Sequence, residues 1–403
     1  MRRFGLLVSL LLLAMLVLQP THLYAQILPP CADRDYYTAH IWIDGRDFCL
    51  EFLIGNEGGA GELAYTALAV GDAGEVYAAR PLVGQIIVFE DSNGDALPDI
   101  PRILLGGLVL PNALAWYDGA LYVAGGSYLY RVRDGIIETL SDTVPIGMFW
   151  ITALAVDATG IYVGVSADCT VCMDAATLAG RGSGVSLPNE LEQATARGAI
   201  LRYPLSGGQP DVWATGLHQP GDLVFYQDAL WVSDSTPAHH EAVADLDEIN
   251  RVIQGADFGF PMCIGATVDM TGAFCITQAA LPAYSLPTRS TPLGMAAYRG
   301  DALPRLQDTL LVVLAGNRNN PDLQGYQVVA LRFNGQGQFV SEYALMPNGD
   351  DWADATGERF SHEQMSYRNS GFFPRRPLDV AVSAQGWVYI SVQGGQILVV
   401  RPQ

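Results

Sequence analysis

The amino-acid sequence predicts an all-β fold, a six-bladed β-propeller with long loops on one face. One pattern recurs six times: alternating apolar residues, a turn at Gly or Asp, and then an aromatic-rich strand. Alternation with a period of two, together with β-branched and aromatic residues, is typical of strands, and helical periodicity is nearly absent. The 43 glycines and 23 prolines agree with many short strands joined by tight turns.

The six copies give the propeller its predicted blades, and a third strand usually follows each pair. The copies begin at Ala67, Ala113, Ala153, Asp222, Gly294 and Asp379. Radial repetition leaves few exposed strand edges and forms a central channel, where a site is expected. A seven-bladed ring and a pair of β-sandwiches stay open as alternatives. Three long connections, at 168–197, 233–280 and 347–376, are predicted to carry functional residues.

The first 62 residues are predicted to lie outside the propeller, which is expected to span 63–403. Arg2 and Arg3 precede an apolar run that is followed by Leu23-Tyr24-Ala25, the order of a secretory signal ending at residue 25. The apolar run is short for a membrane span, although an uncleaved anchor stays open. We therefore expect a secreted or periplasmic protein with no membrane attachment after cleavage. In the following segment, 26–62, we expect a disulfide between Cys31 and Cys49.

Charge composition excludes several classes of function. The chain of 403 residues has a formal net charge of −20, and its 22 basic residues are all arginine. Without lysine there is no Schiff-base nucleophile and no P-loop lysine. A surface this acidic repels phosphate backbones, so we expect no nucleic-acid partner.

Oxygen-bearing side chains alternate around a glycine between residues 91 and 99. Asp91, Asn93, Asp95 and Asp99 have the spacing that begins a calcium-binding loop. The glutamate expected at the twelfth position is Arg102, however. A polar turn with Asx hydrogen bonds is the alternative interpretation.

The segments 247–252 (Asp-Glu-Ile-Asn-Arg-Val) and 255–261 (Gly-Ala-Asp-Phe-Gly-Phe-Pro) carry a family resemblance. They resemble motifs of the soluble glucose/sorbosone dehydrogenases, which depend on pyrroloquinoline quinone. Weaker matches follow in the right order, including Leu217-His218-Gln219-Pro220 and Arg376-Pro377-Leu378. The resemblance covers about residue 63 to the C-terminus, and it implies a six-bladed propeller that oxidises a sugar with quinone and calcium.

The resemblance also implies where the cofactors bind, although this sequence departs from the family at several positions. The quinone contacts fall on Gln219 and Arg376, and Arg289 is a further candidate for its carboxylates. The calcium would be held by backbone carbonyls near Thr236 and Pro237. The position of the family's catalytic histidine is Phe149, which cannot accept a proton, and the family's lysine is absent. His218 is therefore the predicted replacement base.

Two other functions stay open on the sequence. Loss of the base favours a catalytically degenerate propeller that binds carbohydrate or protein, with loop aromatics such as Trp150 stacking on sugar rings. A metal-dependent lactone or ester hydrolase would need oxygen ligands converging on the channel. Asn112, Asp222 and Asp379, at the starts of blades, are the candidates for that role. For the dehydrogenase and for the degenerate binding propeller, the predicted small-molecule partner is a sugar or a glycan.

Overall fold

The protein is described by a computed structural model. The structure describes residues 31, 43, 47–54, 65–93, 98, 100–168, 197–236, 247–261, 263–264, 268–269, 279–317, 325–346 and 375–403. In this part of the chain, six four-stranded antiparallel sheets form the blades of a β-propeller, which confirms the predicted fold class. The predicted secretory signal, 1–25, lies outside the described residues. No described helix has the length and apolar character that a membrane span needs.

The strands are numbered β1 to β26 in chain order. Each of blades 1 to 5 contains four strands that follow one another in this order, except that β17 and β18 lie between the third and fourth strands of blade 4. Blades 1 and 2 contain β2 (Leu68–Val70), β3 (Val76–Arg80), β4 (Gln85–Glu90), β5 (Ile100–Leu105), and β6 (Pro111–Tyr117), β7 (Ala120–Gly125), β8 (Tyr128–Arg133), β9 (Ile136–Ser141). Blades 3 and 4 contain β10 (Leu154–Asp157), β11 (Gly160–Val165), β12 (Ala199–Tyr203), β13 (Asp211–Thr215), and β14 (Pro220–Tyr226), β15 (Ala229–Asp234), β16 (Asp247–Val252), β19 (Tyr284–Leu286). Blade 5 contains β20 (Pro292–Tyr298), β21 (Thr309–Leu314), β22 (Gln327–Phe333), β23 (Phe339–Met346). Two short strands, β17 (Cys263–Ile264) and β18 (Val268–Asp269), pair outside the blades.

Blade 6 closes the ring by combining strands from distant parts of the chain. Its inner three strands are β24 (Pro377–Val382), β25 (Val388–Val392) and β26 (Gln396–Pro402), and its outer strand is β1 (Phe48–Ile54). Phe48 is paired with Pro402 in the antiparallel register of β1 and β26. The segment 26–62 therefore contributes a strand to the propeller. Cys31 and Cys49 are positioned for the predicted disulfide, with Cα atoms 5.7 Å apart.

The inner strands of the six blades, β2, β6, β10, β14, β20 and β24, contact one another in ring order around the channel. Each pair of neighbouring blades buries a hydrophobic cluster between its sheets. Middle strands are therefore covered on both faces, which is why all six residues of β21 are apolar or threonine and buried. The sheets hold their registers through this burial.

Tight turns place successive strands of a blade side by side. Asp118 (φ 47°) and Gly119 (φ 69°) join β6 to β7, and Asp134 (φ 52°) and Gly135 (φ 74°) join β8 to β9. Positive φ at both central residues is the type I′ arrangement, which matches the twist of the strands it joins. These turns return every second strand to the face where the inner strands begin. The strands that precede the three long connections, β11, β15 and β23, end at that face, in agreement with the predicted long loops on one face.

Candidate functional site

A cavity of about 370 Å³ opens at the channel end where the inner strands begin, and we call it the mouth cavity. Residues at the start of β6, β14, β20 and β24, and residues just before β2 and β10, line it. Every blade therefore contributes to the wall, as expected for a site on a propeller axis. The lining residues are Thr66, Ala67, Asn112, Met148, Phe149, Trp150, Thr152, Gln219, Gly221, Asp222, Thr291, Leu293, Gly294, Arg376, Leu378 and Asp379.

Aromatic side chains form one wall of the mouth cavity. Trp150 is 41% exposed at the rim, and Phe149 beside it is half-buried. The backbone of Phe149 is fixed on both sides by Ser166, whose Oγ accepts a hydrogen bond from Phe149 N (2.9 Å) and donates one to Phe149 O (3.2 Å). Phe149, which the resemblance places at the position of the family's base, therefore lines the cavity as an apolar surface whose backbone is held by Ser166.

Gln219 lines the mouth cavity, whereas the neighbouring His218 does not. His218 is 3% exposed, and its ring contacts the rings of Phe149 and Phe260 at centroid distances of 5.7 and 4.9 Å. Its Nδ1 lies 2.5 Å from Ser235 O. Consecutive side chains point in different directions here, so the structure puts the amide on the cavity and the imidazole in the wall. The role of His218 as a base stays a prediction.

A buried carboxylate supports this pair of residues. Asp234, at the end of β15, accepts hydrogen bonds from His218 N (2.9 Å) and Gln219 N (2.6 Å). Burial, followed by repulsion from Glu248, raises the pKa of Asp234 well above its ordinary value. Sequence reasoning missed this residue, because a single aspartate at the end of a strand has no pattern of its own.

Arg376 lies on the mouth cavity, and among the described lining residues it is the one basic side chain. Its Nε donates a 3.0 Å hydrogen bond to Ala315 O, which fixes the guanidinium at the start of β24. Arg289 is half-buried with a left-handed backbone (φ 71°) and does not line the cavity. Of the two predicted cofactor-binding arginines, the structure therefore brings one to the cavity.

Thr236, one of the two predicted calcium ligands, lies beside a second buried carboxylate. Asp247, the first residue of the family motif, accepts hydrogen bonds from Thr236 N (2.9 Å), Thr236 Oγ1 (2.8 Å) and Thr291 N (2.8 Å). These hydrogen bonds connect Thr236, at the calcium site that the resemblance implies, to Thr291 just before the first strand of blade 5. Burial raises the pKa of Asp247 to about 6. Pro237, the other predicted carbonyl donor, lies outside the described residues.

The other predicted calcium loop connects β4 and β5, the two outer strands of blade 1, and is therefore remote from the channel. Asp91 Oδ1 accepts a hydrogen bond from Asn93 N at 3.2 Å, which is an Asx turn. Both residues are exposed. Asp95 and Asp99 lie outside the described residues, so calcium binding at this loop stays a prediction.

The three blade-start candidates, Asn112, Asp222 and Asp379, all line the mouth cavity. Asp222 accepts hydrogen bonds from Met295 N (2.8 Å) and Leu223 N (2.7 Å). Asp379 accepts them from Leu68 N (2.6 Å) and Val380 N (2.8 Å). Each carboxylate thus links its own blade to the next one. Burial raises the pKa of both carboxyls, and repulsion from Asp379 adds to the rise at Asp222.

Comparison with known families agrees with the motifs found in the sequence. Residues 202–349 match the family model of Glucose / Sorbosone dehydrogenase. This match confirms the resemblance. The matched segment contains Gln219, Thr236 and the Asp247 motif, and it runs from β12 to just beyond β23. A search of curated protein sequences gives no match.

Solved structures similar to this chain include enzymes that act on sugars. The holo PQQ domain of pyranose dehydrogenase from Coprinopsis cinerea is 13% identical, with a TM-score of 0.65 over 88% of this chain and 95% of that one. The calcium structure of a Trichoderma reesei enzyme of carbohydrate-active family AA12 is 14% identical, with a TM-score of 0.64 over 91% and 98%. PQQ-bound aldose sugar dehydrogenase from Streptomyces coelicolor is 17% identical, with a TM-score of 0.54 over 88% and 98%. At these identities the likeness establishes the fold.

The residues on the mouth cavity fit one edge and one face of pyrroloquinoline quinone. This cofactor is planar and carries carboxylates, so it needs a flat apolar wall and positively charged hydrogen-bond donors. Phe149 supplies aromatic surface, and Arg376 and Gln219 supply a guanidinium and an amide on the same cavity. A calcium ion would lie near Thr236, whose backbone Asp247 holds in place.

Proposed function

We propose that the chain is an exported oxidoreductase of the glucose/sorbosone dehydrogenase kind, which oxidises a sugar or related alcohol with pyrroloquinoline quinone. The observation that carries this proposal is the mouth cavity itself. Gln219 and Arg376, the two residues that the family resemblance assigns to the quinone, lie on one cavity although 157 positions separate them (376 − 219). A cavity of about 370 Å³ also falls in the size range of small-molecule sites.

The chain's own residues would bind and orient the reactants. Arg376 would pair with a carboxylate of the quinone, and the hydrogen bond from its Nε to Ala315 O would hold the guanidinium in position on the cavity. Gln219 would donate a hydrogen bond from its amide, and its backbone is held by Asp234. Trp150 would stack on the sugar ring at the rim. When bound, the quinone supplies the hydride acceptor.

Titration with quinone and Ca²⁺ tests this proposal. We expect a saturable shift of the visible band, followed by dye reduction with aldoses. Arg376→Ala removes the charged donor on the cavity, so it should raise the Kd for quinone about 10-fold or more. Arg299→Ala is the matched control, because Arg299 lines the cavity at the opposite end of the channel and should leave the Kd unchanged. A wild-type protein with no band shift contradicts the proposal.

A second candidate function, sugar binding without turnover, is favoured by the wall of the cavity. Phe149 faces the cavity where the family has its base, and the nearest histidine in the described chain, His218, is packed behind it. Without an imidazole on the cavity wall, the general-base step that the resemblance assigns to the family's histidine has no counterpart at this position. The aromatic and amide groups would still recognise a sugar.

Phe149→His separates the two candidates, because it puts an imidazole on the cavity. If the wild type reduces dye, and His218→Ala lowers the rate of dye reduction and changes its pH profile, His218 is the base and the first candidate stands. If the wild type binds sugar and quinone without turnover, and Phe149→His reduces dye, the second candidate stands. Under either candidate Trp150→Ala should weaken sugar binding by about 1 kcal/mol, or roughly fivefold, measured by calorimetry.

A further inference from the structure

The mouth cavity adjoins a second cavity of about 340 Å³ on the opposite side of the ring. Thr152, Asp222 and Asp379 line both cavities, and we call the boundary where they lie the channel constriction. Neither carboxylate is required by the quinone contacts described above. Gly294 of blade 5 gives Asp379 room there, because a Cβ at this position would overlap the Asp379 carboxylate.

Oxygen-bearing side chains reach the axis from alternate blades. Asn112 belongs to β6 of blade 2, Asp222 to β14 of blade 4, and Asp379 to β24 of blade 6. The inner strands surround the channel in ring order, so these three groups approach it from three separated directions. An amide oxygen and two carboxylates are the ligand types that hard divalent cations prefer.

Asn112 supplies an observation that is independent of the two acids. Its side chain is 6% exposed and lines the mouth cavity, and its Oδ1 is a buried acceptor for which the described residues provide no hydrogen-bond donor. Buried acceptors in proteins are almost always satisfied, by protein groups, water or an ion. A cation beside Asn112 Oδ1 would satisfy it.

The negative charge of the two carboxylates at the constriction also favours a bound cation. Asp222 and Asp379 repel each other. Asp222 accepts backbone N–H groups from three residues and Asp379 from two, and a carboxylate has about four lone-pair sites, so each side chain keeps acceptor capacity for a further contact. Arg376 is the only basic residue among the described groups that line the mouth cavity, and its Nε is used by Ala315 O. Two mutually repelling carboxylates on one cavity are stabilised in their charged form by a bound cation.

We propose that the channel constriction binds Ca²⁺ through Asn112 Oδ1 and the carboxylates of Asp222 and Asp379. This site is separate from the calcium that the family resemblance places near Thr236. The described residues contain no group of three or more His, Cys, Asp or Glu that could hold a metal, so the amide oxygen is needed as the third protein ligand. Water in the two cavities would complete the six to eight oxygen ligands that Ca²⁺ takes.

Calorimetric titration of EDTA-treated, quinone-free protein with CaCl₂ tests this site, using the full chain. We expect saturable binding in the wild type and a higher Tm in the presence of Ca²⁺. Asn112→Leu should weaken Ca²⁺ binding at least 10-fold, whereas Asn112→Asp should strengthen it several-fold because a carboxylate replaces the amide. A purely structural role for Asn112 would not give opposite signs. MgCl₂ is titrated in parallel and should bind more weakly.

Two further variants decide where any bound Ca²⁺ lies. Asp379→Asn should weaken binding, and Asp91→Asn, in the loop between β4 and β5, should not. Absence of Ca²⁺ binding in the wild type overturns the inference, and so does binding that both Asn112 variants leave unchanged or that Asp91→Asn abolishes. Ca²⁺ binding at the constriction without any quinone binding supports this site and contradicts only the proposed function.

Discussion

Arg401→Met is expected to destabilise the protein by about 3–5 kcal/mol, because it removes the guanidinium that compensates the charge of a buried carboxylate. Arg401 of β26 donates to Glu51 of β1 from Nε (2.9 Å) and Nη2 (2.5 Å). The side chains are 6% and 1% exposed, and the guanidinium lies 4.6 Å from the centre of the Trp387 ring. Equilibrium unfolding in urea, followed by tryptophan fluorescence, measures the loss.

The matched control is a second arginine–glutamate pair with the same two-bond geometry at the surface. Arg102 donates to Glu90 from Nε (2.8 Å) and Nη2 (2.7 Å), with the side chains 51% and 44% exposed. Arg102→Met should cost less than about 1 kcal/mol, since exposed ion pairs contribute little. Glu51→Leu combined with Arg401→Met should recover much of the loss. Equal effects of Arg401→Met and Arg102→Met would show that burial of the first pair is unimportant.

Raising the pH from about 5 to 8 is expected to lower the free energy of unfolding of the EDTA-treated protein. Burial raises the pKa of Asp247 to about 6 and that of Glu248 to about 7, and it raises that of Asp234 well above 3.8. The folded protein therefore retains protons that the unfolded chain has already released. The stability is complete below the unfolded pKa values and is lost as pH rises through 6 to 7, by about 1.4 kcal/mol per pH unit for each retained proton.

Glu248→Gln isolates one of these groups. The glutamine keeps an oxygen to accept the 2.8 Å hydrogen bond from Asn250 Nδ2, but it cannot titrate. Its plot of unfolding free energy against pH should therefore be flatter than that of the wild type between pH 5 and 8, by up to about 1.4 kcal/mol per pH unit. Parallel profiles for the two proteins, or a wild-type stability that increases with pH, would rule out a raised pKa at Glu248.

Most of the propeller could be predicted because its strands alternate with a period of two and end at defined turns. The predicted copies that begin at Ala113 and Asp222, for example, start within the inner strands β6 and β14. β1 could not be found in this way. It precedes the repeats, and its charged pair joins residues 350 positions apart, a pairing that no local pattern specifies.

Residues of the site could be predicted where a family motif or the start of a blade assigned them a role. Arg376 and Gln219 line the mouth cavity, as their assignment to a cofactor requires, and Asn112, Asp222 and Asp379 converge on the channel. The orientation of His218 could not be read from the sequence, because a histidine beside a glutamine is equally compatible with either side chain facing the cavity. Asp234 was missed since its contacts are to backbone N–H groups of residues 218 and 219, which a sequence does not display.

Pairing of β1 with β26 also has a consequence for how the chain acquires its shape during synthesis. Translation produces residues 48–54 long before residues 377–402, so β1 leaves the ribosome with no partner strand available. Blades 1 to 5 consist of strands made consecutively and can assemble as they emerge. Blade 6 cannot assemble in this way. Until β24 to β26 have been made, the ring stays open and the Arg401 guanidinium that pairs with Glu51 has not yet been synthesised. The propeller can therefore close only after the chain has been translated through residue 402.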